Sequence, residues 1–350
     1  GDCPGLNAVI RAVTKSSIAY GMEVYGFLDG FKGLVKNNYV KLDYQKVSGI
    51  GHTGGTILGS SNRDDPFNFL TIKDGQEVFA DQSDRAMENL HDLDLDGLIV
   101  IGGDGSLHIA DRFCDKGVKN VGVPKTIDND LKATDVTFGF NTAVDTASEA
   151  LDRLHTTAES HHRVMILEVM GRYAGWIALH AGIAGGADVI LIPEIPYEVD
   201  FIINKIRQRY EQDKKFSIIV VAEGAKAKDG DLVVQKLVPT SHDPIRLGGI
   251  GNKLADEIER VSKIETRVTV LGHLQRGGSP IPFDRVLSTR YGVAAVEAFV
   301  QGKYGTMVSL QGQQIVNVPI KEAIEDLKKV DPESDIVRAA RAVGISFGDR

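Results

Sequence analysis

Two short stretches of this chain place carboxylates where phosphate chemistry would need them. The first is Ile101-Gly102-Gly103-Asp104-Gly105-Ser106. Glycines around a single carboxylate let backbone N–H groups gather around phosphate oxygens. Asp104 is placed to hold a magnesium ion directly or through water. A plain strand-to-helix turn with Asp as its N-cap uses the same residues. The second stretch is Pro124-Lys125-Thr126-Ile127-Asp128-Asn129-Asp130. In an extended loop, positions two apart face the same way, so Asp128 and Asp130 share a side. One carboxylate can take a proton from a sugar hydroxyl while the other serves metal or substrate. An Asx-turn loop with ordinary caps reads the same way.

Short β-branched runs must position these turns. Residues 98–101, 118–123, 163–169, 189–192, 217–222 and 268–271 read as strands, the second ending at Pro124 and the fourth at Pro193. Helical periodicity covers 141–158, 174–184, 201–213, 250–262, 284–301 and 319–329. Strands alternating with helices predict βαβ units, parallel sheets and helices on both faces. The chain holds 38 Gly in 350 residues, against an average near 7%. They follow no three-residue period and come with only 11 Pro, which excludes collagen and low-complexity linkers. Many gather where strands end, at 51–59, 102–105, 171–175 and 272–278. Ligands of open α/β sheets bind at the carboxyl ends of strands, and close approach of backbone to phosphate needs residues without Cβ. The opening Gly1-Asp2-Cys3-Pro4-Gly5 turn leads into a helical pattern. Such a turn normally follows a strand, so about ten further residues, including a first strand, are expected before it.

Composition limits the partners. With 40 Lys+Arg against 48 Asp+Glu, the net charge is −8, and an acidic surface excludes a general nucleic-acid binder. No apolar run reaches membrane-spanning length, and no signal-peptide pattern is present. Cys3 and Cys114 sit in no metal-binding spacing and form no disulfide framework, so a cytoplasmic location is expected.

Taken together, the motifs resemble one family. GDCPGLNAVIR at 1–11, GGDGS, PKTIDND, Met170-Gly171-Arg172 and GHLQRGGSP at 272–280 match 6-phosphofructokinases in order and spacing, over almost the whole chain. NAD kinases and diacylglycerol-type lipid kinases share only GGDG[ST]. The resemblance implies two Rossmann-like three-layer α/β/α domains facing across a cleft. The larger, ATP-binding domain would be 1–139 plus about 275–325. The smaller, fructose 6-phosphate-binding domain would be 140–274 plus about 326–350. It further implies transfer of the ATP γ-phosphoryl to the 1-hydroxyl of fructose 6-phosphate, with Mg²⁺ as cofactor and Asp104 on the metal.

Residue by residue, Asp128 matches the family's base, and an ordinary Asp is ionised at pH 7. Asp130 and Thr126 match its substrate-side and metal-side partners, and Arg172 the arginine that neutralises the moving phosphoryl group. Met170 and Gly171 match backbone contacts to the sugar. Glu223 matches the carboxylate on its hydroxyls, although alone it reads as a solvated loop residue. Arg163, Arg267, His273 and Arg276 match the 6-phosphate pocket, and His273 alone would read as a structural histidine. In the family the equivalents of Arg163 and Arg267 reach in from a neighbouring subunit, which implies a dimer or tetramer with shared active sites. Gly1, Arg63, Asp104, Gly105 and Ser106 match nucleotide contacts, Arg63 standing one residue later than in many members.

Donor choice rests on two positions. Pyrophosphate-dependent members typically carry Lys at position 125 and Asp at position 105. This chain pairs the pyrophosphate-type Lys125 with the ATP-type Gly105, which leaves room for the α-phosphate, and so resembles a mixed clade that mostly uses ATP. The alternatives are a pyrophosphate-dependent phosphofructokinase, another GGDG-type kinase, or a non-catalytic homologue. The last would have lost Asp104, Asp128 or Arg172. Arg11 matches one effector contact. Lys15, His155 and Asp188 stand where the allosteric bacterial enzymes carry Arg, Arg and Glu, so ADP activation with phosphoenolpyruvate inhibition is not expected.

Overall fold

The computed structural model of the chain describes residues 1–73, 75–237 and 245–350. Two sheets organise them. The first runs in the order Gln314–Pro319, Thr306–Gln311, Asn120–Thr126, Leu98–Gly102. Its three inner-to-edge strands are parallel, and Gln314–Pro319 is an antiparallel hairpin partner. The second runs Thr266–Val270, Val164–Val169, Ser217–Ala222, Val189–Leu191, all parallel.

Alternation along the strands explains the layers. In the second sheet Met165, Leu167, Ile218 and Val220 bury on one side, in the core shared with the helices Phe140–His161 and Trp176–Ala184. Ile166, Ile219 and Val221 bury on the other, against the helices Val199–Glu211 and Ile250–Ser262. A strand buried on both faces must be apolar at every position, and Val164–Val169 is buried throughout. In the first sheet Val121 and Val123 join the core of the helices Leu6–Ala19 and Pro282–Val300. Val100 and Met307 face the Asp104–Asp115 and Ile320–Ile324 helices on the other side. Leu98–Gly102 forms an edge of this sheet.

Two long helices link the layers at their N-termini. The buried carboxylate of Asp284, in the first turn of Pro282–Val300, accepts the Thr142 N–H at 2.8 Å and its hydroxyl at 2.6 Å. That satisfies a donor that the first helical turn leaves without a partner.

The six strands expected between residues 98 and 271 all form, within a few residues of the expected bounds. Two expectations change. The strand expected to stop at Pro124 continues to Thr126: Pro124 pairs with Gly102, then Lys125 and Thr126 pair with Phe138 and Gly139. A missing N–H is tolerated where the strand exchanges one partner for another. The helix expected over 319–329 spans only Ile320–Ile324. Beyond it Leu327 bridges to Leu131 and the Lys328 N–H is drawn to the Asp130 carbonyl, so the chain leaves the helical path. No helix among the described residues is long and apolar enough to cross a membrane.

Candidate active site

Parallel strands from both sheets end at one cleft of 1870 Å³. From the first sheet, Leu98–Gly102 delivers Asp104, Gly105 and Ser106, and Asn120–Thr126 delivers Lys125, Asp128 and Asp130. Gly1 and Arg63 lie on the same lining. From the second, Val164–Val169 delivers Met170 and Arg172, Ser217–Ala222 delivers Glu223, and Thr266–Val270 leads into the 3₁₀ turn Gly272–Arg276 with His273 and Arg276. This is the position that open α/β sheets reserve for ligands.

The turn at Gly102 is too tight for a side chain: a Cβ there would lie 2.2 Å from the Ser106 Cβ. Asp104 opens the following helix, and its carboxylate lies 3.2 Å from His108 Nδ1. On the facing wall, a Cβ on Gly224 would lie 1.9 Å from the Arg172 carbonyl oxygen. Only glycine lets the Glu223 turn come that close to the Arg172 turn.

The loop after Thr126 aims two acids into the cleft. The Asp128 N–H donates to Thr126 Oγ1 at 3.1 Å. Asn129 between the acids is left-handed, with φ of 52°. Its Oδ1 accepts the Thr137 N–H at 3.0 Å. Burial pushes the Asp128 carboxyl above the ordinary range, while Arg276, Lys125 and Arg172 pull it back. Asp128 is thus more basic than the ordinary Asp expected from sequence. Burial, with the nearby Asp128 charge, pushes Asp130 up to about 7. Burial and the charges of Asp128 and Glu168 push Glu223 up to about 7. Lys125 is buried; its Nζ donates to the Gly1 carbonyl at 2.8 Å, and burial lowers its pKa.

Asp128 Oδ1 is buried without a hydrogen-bond partner. Asp104 raises the pKa of Asp130, so these charges also feel one another. Among the described residues no three His, Cys, Asp or Glu side chains form a cage for a metal ion. The Asp104 carboxylate on the cleft lining fits magnesium, which binds through one or two carboxylates together with substrate phosphates.

Thr126 and Gly171 stand in the walls, next to residues that line the cleft. Arg163 and Arg267 do not line it. Arg163 Nε holds Glu265 Oε2 at 2.7 Å, and Arg267 Nη2 bonds the same carboxylate. Arg267 lies on the edge strand Thr266–Val270, where Arg267, Thr269 and Val270 are exposed, and the half-buried Arg163 precedes the adjoining strand Val164–Val169. Asp188 is engaged by Arg209 at 2.7 Å and by the Ile218 N–H at 2.9 Å, and His155 Nε2 lies 2.7 Å from the Gly185 carbonyl.

One residue beside the cleft was not singled out from sequence. Gln275 is fully buried; its Oε1 accepts the Met170 N–H at 2.7 Å, and its Nε2 donates to the Ala143 carbonyl at 3.3 Å. Its place between His273 and Arg276 in the GHLQRGGSP motif was the available signal.

A family profile described as Phosphofructokinase matches residues 1–299. The chain belongs to the phosphofructokinase family. Among its phosphofructokinase relatives, the ATP-dependent 6-phosphofructokinase 2 of Clostridium perfringens is 58% identical over 352 residues, covering 100% of this chain and 96% of that protein. The pyrophosphate–fructose 6-phosphate 1-phosphotransferase of Streptomyces coelicolor is 51% identical, covering 99% and 97%. The phosphofructokinase structure from Saccharomyces cerevisiae superposes with a TM-score of 0.79 at 31% identity, covering 93% of this chain and 44% of that one. This chain therefore spans under half the length of the yeast chain.

Proposed function

We propose that this chain is an ATP-dependent 6-phosphofructokinase, which transfers the γ-phosphoryl of ATP to the 1-hydroxyl of fructose 6-phosphate. The observation that carries the reading is the convergence of Asp128 and Asp130 with Arg172, Arg276 and Glu223 across one cleft from the Gly102–Ser106 turn. Asp128 takes the proton of the 1-hydroxyl. The hydroxyl oxygen bonds to the γ-phosphorus, the bond from that phosphorus to the β,γ-bridging oxygen breaks, and ADP leaves with the electron pair. The raised basicity of Asp128 favours the proton transfer. Charge spreads over the phosphoryl oxygens in flight, so Arg172 at the cleft wall supplies the stabilisation. Asp130 serves the substrate side and Thr126 the metal side.

The sugar lies on the second-sheet wall. Met170 and Gly171 offer backbone, Glu223 bonds hydroxyls, and His273 and Arg276 meet the 6-phosphate. Arg163 and Arg267 complete that pocket for a neighbouring subunit, which makes the working form a dimer or tetramer. The exposed position of Arg267 on an edge strand, with Arg163 held beside it through Glu265, supports this assignment. On the donor side Gly1, Arg63, Gly105 and Ser106 hold the nucleotide. Asp104 would hold Mg²⁺, which neutralises phosphate charge when bound. We assign 1–139 plus about 275–325 to the ATP-binding domain and the remainder to the sugar-phosphate domain. The two free thiols, Cys3 and Cys114, support a reducing, cytoplasmic location.

Pyrophosphate as donor is the second reading. The Lys125 side chain on the cleft and the Streptomyces relative favour it; Gly105 and the ATP-dependent relatives favour ATP. Coupled assays of fructose 1,6-bisphosphate formation with each donor decide the matter. Activity with pyrophosphate alone would overturn the ATP assignment, and activity with neither would overturn the enzyme.

A further inference from the structure

After the helix Ile320–Ile324 the chain passes between the acidic loop and the Arg172 wall. Lys328 sits at the crossing. Its Nζ donates to Asn129 Oδ1 at 3.0 Å, to the Thr134 carbonyl at 2.8 Å and to the Asp135 carbonyl at 2.9 Å. All three of its donors are therefore spent on one loop. The main chain adds two ties. The Lys328 N–H donates to the Asp130 carbonyl at 2.8 Å, and the Lys328 carbonyl accepts the Trp176 indole N–H at 2.8 Å. Trp176 opens the helix that follows the Arg172 turn. Two residues on, the Val330 N–H donates to Glu194 at 2.8 Å, and the same carboxylate accepts the N–H of Gly175 at 3.0 Å.

We propose that Lys328 is a positioning residue for phosphoryl transfer, fixing the Asp128–Asp135 loop in the conformation that aims both acids into the cleft and tying that loop to the wall that carries Arg172. The inference rests on the reading of Asp128 as the base. Asn129 explains why the loop needs an anchor. A left-handed non-glycine residue persists only where its surroundings over-determine it. Here the Asn129 side chain is gripped from two sides, by the Thr137 N–H and by Lys328. Release of the ammonium frees Asn129 to turn, and the adjacent Asp128 and Asp130 move with it. A methionine would keep the stem and remove every donor.

The charged groups facing Lys328 are Asp130 and Asp135 on the loop and His180 on the Trp176 helix. Burial lowers the ammonium to about 8 against these two acids. Above that pH it loses its charge and one of its three donors.

The test compares wild type with Lys328→Met in steady-state kinetics with ATP and fructose 6-phosphate across alkaline pH. The expected result is a kcat lower by about tenfold or more, with both KM values within about threefold. The wild-type decline in kcat above about pH 8 should be absent from the variant. A kcat within about twofold of wild type, or a loss confined to KM, would overturn the proposal. Should Lys328→Met not fold, wild-type amide exchange serves. The protection of the Thr137 N–H relative to the Val164–Val169 strand should fall as pH rises past about 8; an unchanged ratio overturns the strap. That measurement reads the loop directly. It stays informative even if wild type phosphorylates no sugar, the outcome that would defeat the underlying reading instead.

Discussion

The side-chain oxygen of Gln275 accepts the backbone N–H of Met170 at 2.7 Å, and its amide reaches Ala143 on the long helix. One buried amide thus sets the sugar-side turn in register with Arg276, the next residue in the chain.

Gln275→Leu should leave the Met170 N–H unsatisfied at about 1–3 kcal/mol. The expected outcome is a KM for fructose 6-phosphate raised about tenfold, with the KM for ATP within about twofold. Gln275→Glu keeps the acceptor for Met170 and loses the donor to Ala143, so it should fall between. Initial-rate kinetics with each substrate varied would check both; equal effects on the two KM values would contradict the register role.

Asp128→Asn removes the base and leaves the shape. A fall in kcat of about 10²–10⁴-fold is expected, with KM values changed by less than about threefold. Single-turnover phosphorylation measures it, and a loss under about tenfold would place the base elsewhere.

Glu223 makes stability depend on pH. Its folded value of about 7 lies above its ordinary 4.5. Its contribution is therefore fully present below the ordinary value and is lost as pH rises through about 7. Glu223→Gln removes the ionised form, so it should raise Tm by about 2 °C or more at alkaline pH and by little at acid pH. The same variant should weaken sugar binding. Melting scans at the two pH extremes test the sign.

Gly105→Asp sets a carboxylate against a donor phosphate. Like charges held together cost several kcal/mol, so kcat/KM for ATP should fall by about a hundredfold or more. Comparing ATP with pyrophosphate in the same assay reads the effect, and retained ATP use would remove Gly105 from donor choice.

Shared sites make a mixing prediction. Asp128→Asn chains and chains carrying both Arg163→Ala and Arg267→Ala should each be weak alone. Unfolded together and refolded, they should regain activity, because some sites then combine an intact acid loop with intact arginines. No gain on mixing would overturn the shared site.

Sequence carried most of the chemistry because phosphate turns are local. Asp104 with its glycines, and Asp128 with Asp130, are contiguous, and strand periodicity placed them at strand ends. Arg172, Glu223 and Arg276 came through resemblance to a family. Gln275 and Lys328 escaped because their partners lie far away in the chain, at Met170 and Ala143 and at Asn129 and Trp176. No spacing rule announces such a pair. The basicity of Asp128 was equally hidden, since burial by several distant elements sets it. The hairpin Thr306–Pro319 and the helix Asp335–Ala342 also went unread, the helix being only eight residues long.

The order in which the chain visits the two sheets has a consequence for its birth on the ribosome. Val121 waits for Thr306, and Val189 waits for Ser346. At ordinary synthesis rates of about 5–20 residues per second, the first sheet stands incomplete for about 10–40 s. Phe347, fully buried, completes the core that both sheets share. Both halves of the cleft therefore become whole only after residues 306–347 have been made, and a nascent chain holds two open sheet edges until then. Premature termination anywhere after Asp128 leaves a polypeptide with its acids made and its scaffold unfinished, a natural client for chaperones and proteases.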